Sequence, residues 1–347
     1  MDLVAGAVLS ILAGALEGLF SLPLAWTPKW KWENIWGMGS LAALILVPWP
    51  VALLTVPSLG QAYHDAGAKF ALIAVVGGLS WGIGGIFWGR AIGAVGLALG
   101  VSLMMGLVTV FGSPVPLALK EPGKLIELGG LVLLGALAVM VLGVVVCAWA
   151  GKLKDREMAS ASASAQAARS SVPFTLGLLF CFVSAVASAM VNVGYVFAEP
   201  IATAAENLRA SKTSAPNAVW ALIFTANFGL NVAYTFYRMF KNRTFNLLRA
   251  PGTAHYWLWV LFMGIAWPLG LVLYGIGAGK MGTYGPFVAW PMMLLSSILF
   301  GNLAGALGGE WKNTSSKPRT TMVAGVAVLV VAFLIFGVAQ KFLAAAA

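Results

Sequence analysis

Ten long apolar runs separated by short polar connections set the pattern of this chain. Their approximate limits are 3–26, 34–56, 70–89, 91–112, 128–150, 174–198, 216–237, 256–278, 283–308 and 321–340. A helix needs about 20 apolar residues to cross the hydrocarbon core of a bilayer, so the pattern predicts ten transmembrane helices and an all-α integral membrane protein. The start Met1-Asp2-Leu3 lacks the basic region of a cleavable signal, and no small-residue cleavage site stands out before Trp26. The first run is therefore expected to stay as a span.

Two of the runs carry one motif. Trp81, Trp88, Gly89, Gly93 and Gly96 recur as Trp267, Tyr274, Gly275, Gly279 and Gly282, each pair 186 residues apart. Aromatics seven residues apart share a helix face, and the glycines that follow them lie where a neighbouring helix could come close. The one long polar interruption, 151–171, begins Gly151-Lys152-Leu153-Lys154-Asp155-Arg156-Glu157 and continues rich in Ala and Ser, which reads as a flexible cytoplasmic linker. It divides the chain into a first five-helix repeat (1–150) and a second (172–347). An odd number of spans per half inverts the second half relative to the first. Transporters use that arrangement to open one central site to each side in turn.

Composition narrows the class. With 60% hydrophobic and only 9% charged residues among 347, the chain has too little polar surface for a soluble globule of its size. Its net charge of +10 is spread over connections between apolar runs, which points to membrane orientation and excludes nucleic acid as the partner. The connections after the odd-numbered helices hold 14 basic residues: Lys29, Lys31, Arg90, Lys152, Lys154, Arg156, Arg169, Arg238, Lys241, Arg243, Arg249, Lys312, Lys317 and Arg319. The alternate connections hold six: Lys69, Lys120, Lys124, Arg209, Lys212 and Lys280. The odd connections are expected in the cytoplasm, with both termini outside. Cys147 and Cys181 both fall within apolar runs and offer neither a disulfide framework nor metal-ligand spacing. His64 and His255 are too few for a metal site, and no phosphate-cradling loop or nucleophile motif occurs, so neither enzyme chemistry nor a cofactor is expected.

Several segments resemble one family in its order along nearly the whole chain: Pro23 followed by Lys29-Trp30-Lys31-Trp32-Glu33-Asn34-Ile35-Trp36, then Leu46-Val47-Pro48-Trp49 and Trp81-Gly82-Ile83-Gly84 with Gly89. Ala150-Gly151, Ser188-Ala189-Met190-Val191-Asn192 and Gly309-Glu310-Trp311-Lys312 continue the series. The chain is similar to the L-rhamnose-proton symporter family, a ten-helix branch of the drug/metabolite transporter superfamily. The resemblance implies uptake of a deoxyhexose across a bacterial inner membrane, driven by protons, with sugar, proton and lipid bilayer as partners and a monomer or homodimer as the assembly. An exporter of metabolites or drugs on the same architecture, and a membrane sensor that binds sugar without moving it, remain alternatives.

Glu17 is the sharpest single residue, because a carboxylate in mid-span is costly unless it meets water or a partner. It is read as a proton-coupling group, against the alternative of a structural group bonded to a neighbouring Ser or Asn. Glu199, before Pro200, is a second coupling candidate if its carboxylate turns inward. Sugars present flat C–H faces beside hydroxyls, so aromatic platforms and a few amides suit them. Trp81 and Trp267 are the candidate platforms, with Trp88 and Tyr274 closer to helix ends. Ser188 with Asn192, and Asn227 with Asn231, share helix faces four residues apart. Ser188, Asn192 and Asn231 are candidate ligand contacts, the alternative being bonds between helices. Trp26, Trp30, Trp32, Trp36, Trp257 and Trp311 read as interfacial anchors, and Glu33 as a group at a helix end within reach of water.

Overall fold

A backbone inside lipid must satisfy its own hydrogen bonds, and a helix does so residue by residue. The computed structural model describes residues 2–95, 97–161, 173–309, 311–312 and 314–345, and no strand occurs among them. The long helices are α1 (Leu3–Leu19), α2 (Trp32–Thr55), α3 (Ala68–Val95), α4 (Leu97–Gly112), α5 (Leu128–Ala161), α6 (Phe174–Phe197), α7 (Pro216–Asn242), α8 (Tyr256–Met281), α9 (Gly285–Leu307) and α10 (Ser316–Ala345). Among the described residues, nine stretches are long and apolar enough to cross a membrane, that of α4 by running on as Leu103–Lys120, while α1, with 17 residues, is a shorter apolar helix. α2 widens into a π-helical turn over Ala42–Leu46 just before Pro48. Proline has no N–H to donate and crowds the preceding turn, and the wider turn accommodates it.

α10 displays the packing rule. Leu329, Ala332, Phe336, Ala339 and Leu343 recur at helical spacing and are buried, whereas Val323, Val330, Leu334 and Val338 on other faces look outward to lipid. Lipid is as apolar as these side chains, so close packing and hydrogen bonds hold the helices to one another. Glycines set many of the contacts. Gly129, Gly143 and Cys147 of α5 lie beside Leu343, Leu329 and Gly325 of α10, so the two helices run antiparallel. Gly77 faces Gly194, and Gly84 faces Ser188, which makes α3 and α6 antiparallel as well. Gly6 lies beside Gly277, and Ala13 and Glu17 beside Gly270, giving the same relation between α1 and α8.

Three further pairs are parallel: α1 with α9 (Gly14 beside Ser296, Gly18 beside Gly301), α3 with α7 (Gly78 beside Ile223, Gly82 beside Leu230), and α2 with α8 (Gly39 beside Met263, Ala42 beside Gly264). The helices thus gather into two groups, α1, α2, α8, α9 and α3, α4, α6, α7, with α5 and α10 paired alongside. α2 and α7 meet antiparallel across the boundary: Glu33 with Asn242 at one end, Trp36 with Asn231 further in, Thr55 with Asn217 at the other. Asp2 N–H donates to the Lys280 carbonyl, and Gln340 Nε2 donates to that of Met281, so both ends of the described chain lie where α8 finishes.

A Cβ at Gly77 would stand 3.0 Å from the Gly194 Cα and from the Met190 carbonyl oxygen, both backbone atoms. Gly77→Leu is therefore expected to cost about 1–3 kcal/mol by overpacking. Purified in detergent, this variant should melt lower than the parent, whereas Gly85→Leu, where nothing lies within 4 Å, should not.

The structure departs from the sequence reading at several points, the first being that α1 ends at Leu19, short of the span expected over 3–26, which puts Glu17 in its last turn and not at mid-span. Residues 151–161 continue α5 as helix, and residues 162–172 of the expected linker lie outside the described residues. Of the glycines in the repeated motif, Gly89 and Gly279 meet nothing within 4 Å, Gly275 lies beside Tyr195 and Trp220, Gly282 ends α8 at φ +89°, and Gly96 lies outside the described residues. Close approach is made instead by earlier glycines in the same 186-residue register. Gly78 meets α7 as Gly264 meets α2, and Gly84 meets α6 as Gly270 meets α1. Glu33 is buried, its Oε1 accepting from Asn242 Nδ2 at 2.7 Å and Thr244 Oγ1 at 3.3 Å. Trp36 lies inside the bundle, one turn beyond the interfacial position expected of it.

Candidate functional site

Five helices bring side chains to one cluster in the interior. Trp267, on α8, is 5% exposed and sits at its middle. Phe20, just past α1, stacks on it with centroids 5.0 Å apart and planes at 21°. Trp36 of α2 tilts against it at 5.6 Å, and Trp81 of α3 meets it edge-on at 5.5 Å and 84°. Trp81 also touches Phe224 of α7, with centroids 6.2 Å apart. Edge and offset arrangements suit the ring quadrupoles. Gly82, the residue after Trp81, lets α7 approach, since a Cβ there would stand 3.1 Å from Asn227 Oδ1.

A chain of hydrogen bonds borders the rings. Trp36 Nε1 donates to Asn231 Oδ1 at 2.9 Å, and Asn231 Nδ2 donates to Asn227 Oδ1 at 2.6 Å. The two amides reach each other because residues four apart share a helix face. Glu17 projects from α1 three residues before Phe20 and so on a neighbouring part of the same face. Its carboxylate lies against Gly270, one turn along α8 from Trp267, and a Cβ there would stand 2.9 Å from Oε1. That oxygen is sealed from solvent and has no hydrogen-bond partner among the described residues. The matching place on α3 holds Gly84 against Ser188 of α6. A carboxylate therefore occupies one of two like positions, and a hydroxyl the other.

Toward the end of the bundle where α8 finishes, Tyr274, Tyr195, Trp220 and Trp290 continue the aromatic column. Tyr274 hydroxyl donates to Asn192 Oδ1 at 2.5 Å, and Asn192 Nδ2 donates to the Gly112 carbonyl at 2.7 Å. Beside the column a cavity of about 190 Å3 opens between α2, α7 and α8, lined by Pro48, Asn217, Trp220, Phe224 and Pro268 among others.

Of the residues singled out from sequence, Trp81, Trp267, Asn231 and Glu17 come together here. Tyr274 and Asn192 lie further along the column, bonded to each other. Ser188 stands against Gly84, and Trp88 packs away from the cluster with Ala91, Met104 and Cys181. The Glu199 carboxylate does not turn inward: its side chain is 62% exposed and pairs with Lys120 at 2.5 Å. Phe20, Trp36 and Asn227 belong to the cluster without having been candidates. The spacing of Phe20 from Glu17 and of Asn227 from Asn231 carried the signal for two of them, while Trp36 was hidden among tryptophans at helix ends.

The chain matches the family described as L-rhamnose-proton symport protein (RhaT) over residues 2–341. Proteins named L-rhamnose-proton symporter from Shigella sonnei (strain Ss046), Escherichia coli (strain 55989 / EAEC) and Shigella dysenteriae serotype 1 (strain Sd197) are each 25% identical to it over 336 residues. Those alignments cover 94% of this chain and 95% of each relative. Since the family match runs through every helix that builds the aromatic cluster, the chain belongs to the L-rhamnose-proton symport protein family, whose members are transporters and not enzymes.

Proposed function

We propose that this protein takes up L-rhamnose or a related deoxyhexose together with a proton, by alternating access, across a bacterial inner membrane. The observation that carries the reading is the partnerless oxygen of Glu17 one helical turn from an aromatic cluster built by five helices. Ring faces of Trp81 and Trp267 offer platforms for the apolar side of a sugar, and Asn231 an amide for its hydroxyls. Glu17 is the proton site: lipid disfavours an ionised carboxylate, so its protonation is tied to whether water or substrate reaches it.

Helices α1–α5 and α6–α10 form inverted repeats in this reading. Support comes from exchanging each helix for the one five places on. The contacts of α1 with α8 and α9 become those of α6 with α3 and α4, and the contact of α2 with α8 becomes that of α7 with α3. The pairs α2–α7 and α5–α10 map onto themselves and run antiparallel, as mates in an inverted repeat must. The two helix groups then rock about the cluster, with the basic connections in the cytoplasm and both termini outside.

Counterflow in proteoliposomes against a panel of deoxyhexoses and pentoses, with and without a pH gradient, tests the function. Exchange of L-rhamnose, accelerated by a proton gradient, is the expected result. No exchange of any sugar in the panel, or exchange indifferent to the gradient, overturns it.

A further inference from the structure

We propose that Trp36 and Asn227, joined through Asn231, form the hydroxyl-binding arm of the substrate site, and that a sugar docks by replacing the Trp36–Asn231 hydrogen bond. The inference rests on the sugar reading above and assigns the polar half of its site. Asn227 is 2% exposed, and its Oδ1 is taken by Asn231, yet its Nδ2 makes no hydrogen bond among the described residues. The residue is buried but this donor is not among the sealed polar atoms, so a water or a ligand hydroxyl can reach it. Across the helix contact lies Gly82, the residue after Trp81, where a Cβ would stand 3.1 Å from Asn227 Oδ1.

Asn192 makes the contrast. Its Nδ2 is bonded to Gly112, its Oδ1 to Tyr274, and the residue is fully buried, so a ligand would have to break two bonds to use it. The Trp36–Asn231 bond is different in kind, because a hydroxyl is both donor and acceptor. One sugar hydroxyl inserted there accepts from Trp36 Nε1 and donates to Asn231 Oδ1, and no polar group is left unsatisfied. A second hydroxyl accepts from Asn227 Nδ2. The same insertion unties α2 from α7 at this level, and these helices belong to different groups. Substrate binding and relative movement of the groups are thereby linked at one hydrogen bond.

Trp36→Phe keeps a ring for packing but deletes the N–H, and Asn227→Ala deletes the amide. Calorimetric titration of each purified variant, and of the parent, with L-rhamnose and its monodeoxy analogues tests the assignment. Each variant should bind L-rhamnose about tenfold more weakly or worse, since a buried hydrogen bond is lost. For the single analogue that lacks the hydroxyl in question, variant and parent should bind alike, and that analogue should differ between the two variants. A loss of the same factor for every analogue, or no loss, overturns the proposal. If Trp36→Phe does not purify as a folded monodisperse species, the Asn227→Ala series decides by itself. A parent protein that binds neither L-rhamnose nor any analogue refutes the sugar reading instead.

Discussion

Glu17→Gln is expected to uncouple sugar movement from proton movement while leaving the path for sugar intact. The amide keeps the shape of the carboxyl, and it lies against Gly270, where the structure leaves no room for a larger group. It cannot cycle between charged and neutral forms. With one proton per sugar, an inward gradient of about one pH unit supplies about 1.4 kcal/mol, enough for roughly tenfold accumulation. In proteoliposomes the parent should concentrate L-rhamnose to about that degree, and addition of sugar should make the outer medium more alkaline. The variant should reach only equal concentrations on the two sides, with counterflow preserved. Persistence of sugar-dependent alkalinisation in the variant would remove Glu17 from the mechanism.

Trp267→Ala is expected to damage both the packing and the binding. The ring touches Phe20, Trp36 and Trp81 at once, so truncation leaves a void where three helices meet the fourth. Removing a buried aromatic of this kind costs about 3–5 kcal/mol of stability. If the ring is also a sugar platform, losing it should cost about 2 kcal/mol of binding, near thirtyfold in affinity. Trp267→Phe separates the two effects, because it keeps an apolar ring while reducing the stacking face. The pair should rank parent, Phe and Ala in L-rhamnose affinity measured by titration, with Ala also lowest in melting temperature. Equal sugar affinity for parent and Ala would reduce Trp267 to a packing residue.

The positions of Glu17 and Ser188 give these predictions a common basis. Both lie against glycines 186 residues apart, Gly270 and Gly84, yet one bears a carboxyl and the other a hydroxyl. Two glycines in one sequence register thus face different chemistry, a carboxyl in one case and a hydroxyl in the other.

Much of this architecture can be read directly from the order of residues. Apolar runs of bilayer length give the helices, since lipid admits few other backbone forms, and runs of helix-forming apolar residues need no distant partner to become helical. The 186-residue echo of Trp81 in Trp267 marked the two helices whose rings meet in the interior. Glu17 stood out because charge inside a span is expensive wherever it points. Tertiary structure alone decided which polar residues bond to one another and which keep an unused donor. Asn192 and Asn227 are each an amide on a helix face in the sequence. Only the arrival of Gly112 and Tyr274 from other helices saturates the first, whereas Nδ2 of the second meets no partner among the described residues. Trp36 likewise became a cluster residue through α7, whose Asn231 is 195 positions away in the chain. Helix formation is local, whereas hydrogen-bond partners across a bundle depend on how whole helices are rotated and spaced, and no short window of sequence encodes that.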